Sequence, residues 1–353
     1  MLESTLRNMN SIPESNPPSN SEDLVCVERL KKYFPIQSGL FAALLTHGEI
    51  PAVKAVDDVT FTIKKGEVYG LAGESGSGKS TVGRLVLRLL EPTGGKVTFD
   101  GIDLSSLRSE EMRKMRSRMQ IVFQDPLASL NPRMTIGQSI DHPAQIHLSD
   151  LSAAARRERV MEILSAVGMN PPTAFYSLYP HQISGGQRQR VVLARALVTH
   201  PKFIVADEPI AMADVSVRAL LLDLMMDLKE QFDLTYLFIT HDLATAKYVC
   251  DRITIMYLGK LCEVGPLTDV YQTVLHPYTR ALLEAVPVPD PTHRRTEPMP
   301  PGEIPNAINP PSGCHFHPRC PIARPNCSVD EPPLRELRPG HFTACHYAED
   351  LLK

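Results

Sequence analysis

Gly73-Glu74-Ser75-Gly76-Ser77-Gly78-Lys79-Ser80 is a stretch that fits the phosphate-binding pattern G-x-x-x-x-G-K-[ST] at every position. Glycines let the backbone curl tightly, so that successive N–H groups point into one concavity and bind phosphate oxygens. In this pattern the lysine reaches the β- and γ-phosphates and the next hydroxyl binds Mg²⁺. The stretch therefore predicts a nucleoside-triphosphate site built on Lys79 and Ser80.

The residues on either side of the loop supply the structural context that the motif requires. Residues 67–72 have the pattern of a buried strand, and residues 79–90 that of a helix with one apolar side. The order strand, glycine loop, helix predicts an α/β fold of the phosphate-loop NTPase type. The alternative is a Gly/Ser-rich turn that matches by chance, which the agreement of both flanks disfavours.

Composition limits the classes of protein to which the chain can belong. Its 353 residues suggest about two domains, and a net charge of −3 gives no sign of a nucleic-acid binder. No run of about 18 apolar residues occurs, so we expect no membrane span. Residues 1–23 are rich in Ser, Asn, Pro and Glu, lack the apolar core of a signal peptide, and are predicted to be flexible. We expect a cytosolic protein, for which docking onto a membrane protein stays open.

Three regions depart from a simple α/β alternation. Residues 35–52 form an insertion between two predicted strands, with an apolar patch at Leu40, Phe41, Leu44 and Leu45. Residues from about 125 to 190 are mainly helical and predict a helical subdomain. Prolines become frequent over 287–311 and indicate a linker. Residues 252–257 alternate between polar and apolar and predict a peripheral strand.

Polar residues follow three predicted strands at the point where each strand ends. Asp207 and Glu208 follow the apolar run 203–206, Gln124 follows 119–123, and His241 follows 236–240. Carboxyl ends of parallel strands border the crevice where ligands bind. There Asp207 can hold Mg²⁺ through water, and Glu208 can orient an attacking water or accept its proton. The alternative for His241 is a structural role, which is commoner for a histidine at a strand end.

A second anion site is predicted where two glycines precede a helix that starts near Arg188. Backbone N–H groups and the helix dipole favour anions at such a terminus. The alternative is a plain loop-to-helix turn. The residues concerned are Ser184, Gly185, Gly186 and Gln187.

Taken together, these motifs resemble the ATP-binding subunits of ABC transporters over about residues 24–266. The resemblance implies a Walker A loop at 73–81, a Q-loop at Gln124, a Walker B strand ending at Asp207, a catalytic Glu208 and a switch at His241. It implies that 184–187 is the signature, which acts on ATP bound by a partner subunit, and that Asp214 is the D-loop aspartate. It also implies Mg²⁺ held by Ser80, Gln124 and Asp207, and adenine stacked on Tyr33, with Phe34 as the second choice. The implied ATP-binding residues are Tyr33, Gly73, Glu74, Ser75, Gly76, Ser77, Gly78, Lys79, Ser80, Thr81 and Gln124.

A finer resemblance, to oligopeptide and dipeptide importers, rests on three stretches. They are FQDPLASLNPR at 123–133, HPYTRALL at 276–283 and GCHFHPRCP at 313–321. The opening KKYFP at 31–35 resembles the second of the two paired ATPases in such importers. The resemblance implies a heterodimer with a second ATPase, two membrane permease subunits contacted by the helical subdomain, and an external solute-binding protein. The subunit would lie at the cytoplasmic face of the membrane.

One segment departs from the family pattern. The family usually has Thr or Val followed by Ser-Ala-Leu-Asp after the Walker B proline, whereas this chain has Ile-Ala-Met-Ala-Asp at 210–214. Asp214 is kept, but the loop has lost a hydroxyl. In the family this loop contacts the opposite subunit. The departure therefore puts in doubt whether the two ATP sites of a dimer communicate as they do in the family.

Four of the seven cysteines crowd into the C-terminal extension, which we place at 267–353. Their spacing is C-x₅-C-x₆-C-x₁₇-C, and in a cytosolic chain such a cluster indicates a metal before disulfides. Four thiolates can bind Zn²⁺ or an iron–sulfur cluster, and the thiols can also stay free. The family resemblance implies a [4Fe–4S] cluster, and nearby histidines at 315, 317, 341 and 346 are possible substitute ligands. The four cysteines are Cys314, Cys320, Cys327 and Cys345.

Three functions compete at this point. The first is the ATPase of a di- or oligopeptide importer, and the second is the ATPase of an importer for another solute, such as nickel or a sugar. The third is a soluble ABC ATPase of DNA repair or translation. A single nucleotide domain, the lack of a coiled-coil insertion and the non-basic composition disfavour the third.

Overall fold

The computed structural model describes residues 22–36, 51–286 and 305–352. The predictions for residues 1–21, for the apolar patch within 37–50 and for the linker over 287–304 lie outside the described residues. Within the described ranges, no helix combines the length and the apolar character needed to cross a membrane.

The strands of the described residues fall into two β-sheets. They are β1 (Asp23–Pro35), β2 (Ala52–Lys64), β3 (Val68–Ala72), β4 (Gly94–Phe99), β5 (Ile102–Asp103), β6 (Met119–Val122), β7 (Phe203–Asp207), β8 (Thr235–Thr240), β9 (Arg252–Tyr257), β10 (Lys260–Pro266), β11 (Arg335–Arg338) and β12 (His341–Thr343). One sheet is antiparallel with the order β2-β1-β4-β5. The larger sheet has the order β11-β12-β10-β9-β3-β8-β7-β6, in which β9, β3, β8, β7 and β6 run parallel.

Helices connect the parallel strands, as an α/β fold requires. They are α1 (Lys79–Val86), α2 (Ser109–Met115), α3 (Pro126–Ser129), α4 (Ile136–His147), α5 (Ala153–Ala166), α6 (Pro172–Tyr176), α7 (Gly185–Leu197), α8 (Val215–Phe232), α9 (Leu243–Val249), α10 (Leu267–Gln272) and α11 (Pro277–Ala285). Helices α3 to α6 occupy the range where the sequence predicts the helical subdomain. Helix α1 is shorter than the predicted 79–90, because the chain turns at Arg88, whose φ is 47°.

The central parallel strands are buried along their whole length. Every residue of β3, β7 and β8 is buried, which confirms the prediction of buried strands at these positions. The prediction of a peripheral strand at 252–257 is wrong, because β9 lies between β3 and β10 and is buried from Ile253 to Tyr257. Its polar Thr254 is fully buried, and a hydrogen bond with the Tyr69 hydroxyl satisfies the threonine hydroxyl there.

The C-terminal part of the chain continues the large sheet, since β12 pairs with β10 and β11 pairs with β12. A buried carboxylate on β10 anchors this addition. Glu263 accepts hydrogen bonds from the amides of Leu275 and His276, at 2.9 and 3.0 Å, and from Nε2 of His341 at 2.8 Å. Glu263 and His341 have no exposed surface, so the anchor lies inside the protein.

His276 makes the stability of this region depend on pH. Its side chain is only 2% exposed, and burial lowers the pKa of the imidazole to about 4, while a hydrogen bond with the Ala344 backbone acts in the opposite direction. The unfolded imidazole titrates near 6.5. Below that pH the unfolded chain binds a proton that the folded chain does not. The free energy of unfolding therefore has its full value, as far as His276 is concerned, above pH 6.5. It falls as the pH is lowered from 6.5 through about 4, because protons then favour the unfolded chain.

We expect the replacement His276→Asn to reduce this acid sensitivity. Asparagine retains an acceptor for the Tyr278 amide, which the His276 ring binds at 3.1 Å at the start of α11. The wild-type protein should lose about 3 kcal/mol through His276 between about pH 6.5 and 4, at 1.36 kcal/mol per unit of pKa difference. Thermal melting across that range measures the effect. An equal fall of the melting temperature in both proteins contradicts the assignment.

Candidate functional site: a nucleotide cleft at the carboxyl edge of the sheet

Glycines give the loop between β3 and α1 its shape. Gly73, Gly76 and Gly78 have φ values of 151°, 79° and 105°. A Cβ at Gly73 would lie 2.2 Å from the carbonyl oxygen of Met256, and one at Gly78 would lie 2.1 Å from that of Ala55. Backbone conformation and close approach therefore both require glycine at these two positions.

The ammonium group of Lys79 lies inside this loop, where the side chain is 5% exposed. Nζ donates to the carbonyl oxygens of Gly73 and Glu74, at 2.7 and 2.8 Å, and to Oγ of Ser77 at 3.3 Å. Burial lowers the pKa of Lys79, and the nearby carboxylates, with Glu208 first, oppose the shift. A buried cation in a concavity of backbone amides is suited to the charge of a phosphate.

The first turn of α1 meets the end of β7. The Ser80 hydroxyl donates to Oδ1 of Asp207 at 2.9 Å. Burial raises the pKa of Asp207, and the hydrogen bond from Ser80 opposes the rise. Hydroxyl and carboxylate oxygens are the hard ligands that Mg²⁺ prefers. The chemistry of this pair therefore fits the predicted Mg²⁺ site.

Glu208 lies at the centre of the polar edge of the sheet. Nε2 of Gln124 donates to its Oε2 at 2.7 Å, and Nδ1 of His241 lies 2.9 Å from its Oε1. Glu208 also has a φ of 49°, an uncommon conformation for a residue with a side chain and one that is frequent at functional sites. Residues that follow the neighbouring strands β6, β7 and β8 thus meet, as their strand-end positions predict.

Lys79, Ser80, Gln124, Glu208 and His241 line one open cleft of about 610 Å³, which is within the usual size range of ligand sites. Asp207 is not among the lining residues and adjoins the cleft through its bond with Ser80. The residues that line it are Val53, Ala55, Glu74, Ser75, Gly76, Gly78, Lys79, Ser80, Thr81, Gln124, Glu208, His241, Leu282 and Ala307. The cleft thus combines the phosphate loop with the candidate catalytic carboxylate.

Comparison with known proteins identifies the family. Residues 56–211 match the family described as ABC transporter, and residues 262–327 match the family described as oligopeptide/dipeptide transporter, C-terminal region. The oligopeptide transport ATP-binding protein AppF of Bacillus subtilis is 47% identical over 331 residues, which are 93% of this chain and 98% of that protein. The chain belongs to the ATP-binding proteins of ABC transporters.

Other relatives and solved structures agree with this membership. A putative peptide import ATP-binding protein of Brucella ovis is 51% identical over 293 residues, which are 83% of this chain and 92% of that protein. The dimeric ATP-binding cassette MJ0796, in a post-hydrolysis state bound to ADP and Pi, is 29% identical with a TM-score of 0.59 and covers 69% of this chain and 98% of its own. The chain is therefore an ABC ATPase, and its predicted α/β phosphate-loop NTPase fold is confirmed.

The residues predicted to form the signature lie outside the cleft around Lys79. Ser184 caps α7, where its Oγ accepts from the Gln187 amide at 3.2 Å and its own amide donates to Oε1 of Gln187 at 2.9 Å. A Cβ on Gly185 would meet nothing within 4 Å. The four residues 184–187 are not among those that line the cleft. Their action on a nucleotide of a partner subunit stays a prediction.

Asp214, the predicted D-loop aspartate, also lies outside the cleft. Asp214 precedes α8, and its carbonyl oxygen accepts from the amides of Val217 and Arg218, at 2.8 and 3.1 Å. Met212, which belongs to the altered 210–214 segment, is 65% exposed. Ile210 of the same segment is buried in the core, and none of the residues 210–214 is among those that line the cleft.

The structure gives no geometric support to Tyr33 as the adenine-stacking residue. Its hydroxyl donates to Oδ1 of Asp57 at 2.5 Å, and neither Tyr33 nor Phe34 is among the residues that line the cleft. The strand register pairs Tyr33 with Lys54, whereas it pairs Phe34 with Val53, a residue of the cleft wall. Since residues paired across a ladder share a face of the sheet, the register favours Phe34.

The four cysteines of the extension meet around one small cavity of about 10 Å³. All four are free thiols. Burial raises the pKa of Cys320 to about 12 and that of Cys345 to about 11, and the neighbouring cysteines add to both shifts. Of the possible substitute ligands, His317 and His346 line the same cavity.

A preformed metal site is not found in the described part of the chain. Within 22–36, 51–286 and 305–352, no group of three or more His, Cys, Asp or Glu residues is arranged to hold a metal ion. His341 is bonded to Glu263, and Nδ1 of His315 bonds to the Leu258 carbonyl at 3.0 Å. The convergence of the thiols is a structural fact, whereas the iron–sulfur cluster and the alternative zinc site remain predictions.

The motifs in the sequence did not reveal the contribution of the C-terminal region to the nucleotide cleft. Leu282 and Ala307 line the cleft, and Tyr278 and Arg319 bond to Glu74 of the phosphate loop. These partners are 204 and 245 residues away from Glu74 in sequence. The stretches at 276–283 and 313–321 indicate the family, but nothing in their sequences indicates that they contact the phosphate loop.

Proposed function

We propose that the chain is the ATP-hydrolysing subunit of an ABC importer for di- or oligopeptides. The observation that carries the proposal is the match of residues 262–327 to the C-terminal region of oligopeptide/dipeptide transporters, in a chain that resembles AppF over 93% of its length. We place the subunit at the cytoplasmic face of the membrane, bound to two permease subunits that receive solute from an external binding protein.

The cleft supports a direct route for ATP hydrolysis. Lys79 and the amides of the phosphate loop bind the β- and γ-phosphates, and Ser80, Asp207 and Gln124 would hold Mg²⁺, which supplies charge neutralisation. Glu208 accepts a proton from a water whose oxygen bonds to the γ-phosphorus, while the bond to the β–γ bridging oxygen breaks and ADP leaves. His241 and Gln124 orient the Glu208 carboxylate for this proton transfer.

Two such subunits would act as a pair. The signature at 184–187 lies outside the chain's own cleft, and the dimeric MJ0796 cassette is a structural neighbour. We propose that each phosphate loop faces the signature of the partner, so that two ATP molecules hold the dimer together and hydrolysis releases it. The opening at 31–35 favours a heterodimer with a second ATPase.

Reconstitution in vesicles tests the transport function. The chain, its partner ATPase, the two permeases and the binding protein would be assembled, and ATP-dependent uptake of labelled di- and oligopeptides compared with that of nickel and sugars. Peptide uptake supports the proposal. Uptake of nickel or a sugar without peptide uptake would show that the importer carries that solute instead of peptides. Failure of the chain to co-purify with any membrane subunit would favour a soluble ABC ATPase.

We also propose that Cys314, Cys320, Cys327 and Cys345 hold a [4Fe–4S] cluster. Four thiols around one cavity are the donor set that such a cluster requires. The segment that carries the four cysteines has too few apolar residues for a core of its own, so an inorganic centre would stabilise it. A single zinc ion is the alternative.

Protein purified without oxygen is expected to be brown and to contain about four iron and four sulfide ions per chain, the content of one [4Fe–4S] cluster. Cys320→Ser should lower both contents and the melting temperature. Cys26→Ser, on β1 in the other sheet, is the matched control and should change neither. Colourless protein with one zinc per chain overturns the cluster, and folded protein without metal overturns both alternatives.

A further inference from the structure

An arginine of the cysteine-bearing extension contacts the phosphate loop directly. Nη1 of Arg319 donates to Oε2 of Glu74 at 2.8 Å, and Nη2 donates to Oε1 at 3.1 Å. Two parallel bonds of this kind fix both the position and the direction of a carboxylate. The arginine side chain is 7% exposed and that of the glutamate 19%, so water screens the pair weakly.

The backbone of Glu74 is itself part of the phosphate-binding arrangement. Its carbonyl oxygen accepts from Nζ of Lys79 at 2.8 Å and from the Ser77 amide at 3.2 Å. Its amide donates to the hydroxyl of Tyr278 at 2.8 Å. A displacement of Glu74 therefore moves the carbonyl that Lys79 contacts.

Arg319 is held in turn by the region around the cysteines. It lies next to Cys320, and its guanidinium group is 5.7 Å from the centre of the Phe316 ring, a residue that lines the cysteine cavity. Nη1 also donates to the hydroxyl of Tyr257 at 3.3 Å. The chain of contacts from the cysteine cavity to the phosphate loop thus passes through Phe316 and Arg319.

Charge explains why the pair matters for nucleotide binding. Glu74 lines the cleft, and an unpaired carboxylate there repels the negative phosphates of a nucleotide. The guanidinium group neutralises this carboxylate and holds it in one direction. Among the described residues, Arg319 is the basic side chain that forms an ion pair with the Glu74 carboxylate, so the extension supplies this function.

We propose that Arg319 is a positioning residue of the ATP site, which neutralises and orients Glu74 so that the phosphate loop accepts the triphosphate. The inference rests on the nucleotide cleft proposed above. The C-terminal extension then contributes directly to the ATP site. A change in what the cysteine cavity holds would also alter nucleotide affinity, through the chain of contacts from Phe316 and Arg319 to the phosphate loop.

The purified chain tests this role through its affinity for MgATP. Arg319→Gln is expected to raise the Kd about tenfold, within the 5- to 150-fold range typical of coupling between sites. The Kd of Arg319→Lys should lie between those of the wild-type protein and Arg319→Gln, because an ammonium keeps the charge but not the paired bonds. Arg338→Gln is the matched control: it removes another arginine of the extension, which donates to the Thr273 hydroxyl and lines neither the cysteine cavity nor the nucleotide cleft, and it should leave the Kd unchanged.

A double variant separates the proposed role from damage to the extension. Adding Glu74→Gln to Arg319→Gln removes the uncompensated charge and should recover most of the lost affinity, whereas misfolding would not be reversed. In the assembled transporter, Arg319→Gln should raise KM for ATP with little change in kcat. An unchanged Kd in Arg319→Gln, or no recovery in the double variant, overturns the inference. Wild-type protein that does not bind ATP overturns the nucleotide cleft instead.

Discussion

Glu208→Gln is expected to keep ATP binding and to lower hydrolysis at least about 100-fold, the lower end of what general-base catalysis contributes. The amide has the shape of the carboxylate but cannot accept the proton of the attacking water. It can also keep both present contacts. Its oxygen accepts from Nε2 of Gln124, and its NH₂ group donates to Nδ1 of His241 once that ring holds its proton on Nε2.

Phosphate release by the reconstituted transporter measures the loss, and an ATP-bound pair of subunits should accumulate. The control Glu230→Gln changes an exposed carboxylate on α8 and should hydrolyse ATP at the wild-type rate. Turnover of the Glu208 variant close to the wild-type rate rules out this residue as the catalytic base.

The geometry around Glu208 was predictable because strand ends obey a simple topological rule. Gln124, Glu208 and His241 each follow a strand, and the strands β6, β7 and β8 are adjacent and parallel, so their carboxyl ends meet at one edge. Buried runs of apolar residues identified two of those strands without any tertiary information. The phosphate loop was predictable for a similar reason, since all of its residues are contiguous.

Polarity patterns failed where a polar side chain is satisfied inside the protein. Alternation in 252–257 predicts a half-exposed strand, but Thr254 is buried with its hydroxyl bonded to that of Tyr69. The extension adds to the discrepancy, because β12 pairs with β10 and so moves β9 further from the edge of the sheet. A local pattern does not show which later segment will cover a strand.

Contacts between residues far apart in the sequence could not be predicted either, because a local pattern does not indicate distant partners. Arg319 and Glu74 are 245 residues apart, and neither sequence environment indicates the other. The spacing of the four cysteines indicated a shared site, and they do meet at one cavity, but spacing does not determine what the cavity holds. The family resemblance implied Tyr33 for adenine stacking, with Phe34 as the second choice. The register of β1 and β2 pairs Phe34 with Val53 of the cleft wall, and adenine stacking stays a prediction.

Lys79→Ala is expected to weaken ATP binding about 100-fold or more, because loss of one partner from a buried charge pair costs about 3 kcal/mol or more. The ammonium lies within the phosphate loop, bonded to the carbonyl oxygens of Gly73 and Glu74, and alanine leaves the phosphates without this cation. Titration of the purified chain with a fluorescent ATP analogue measures the effect, and circular dichroism checks the fold. Lys96→Ala, which removes an exposed lysine paired with Glu28, is the control and should bind normally. Wild-type affinity in the Lys79 variant means that this loop does not bind the phosphates.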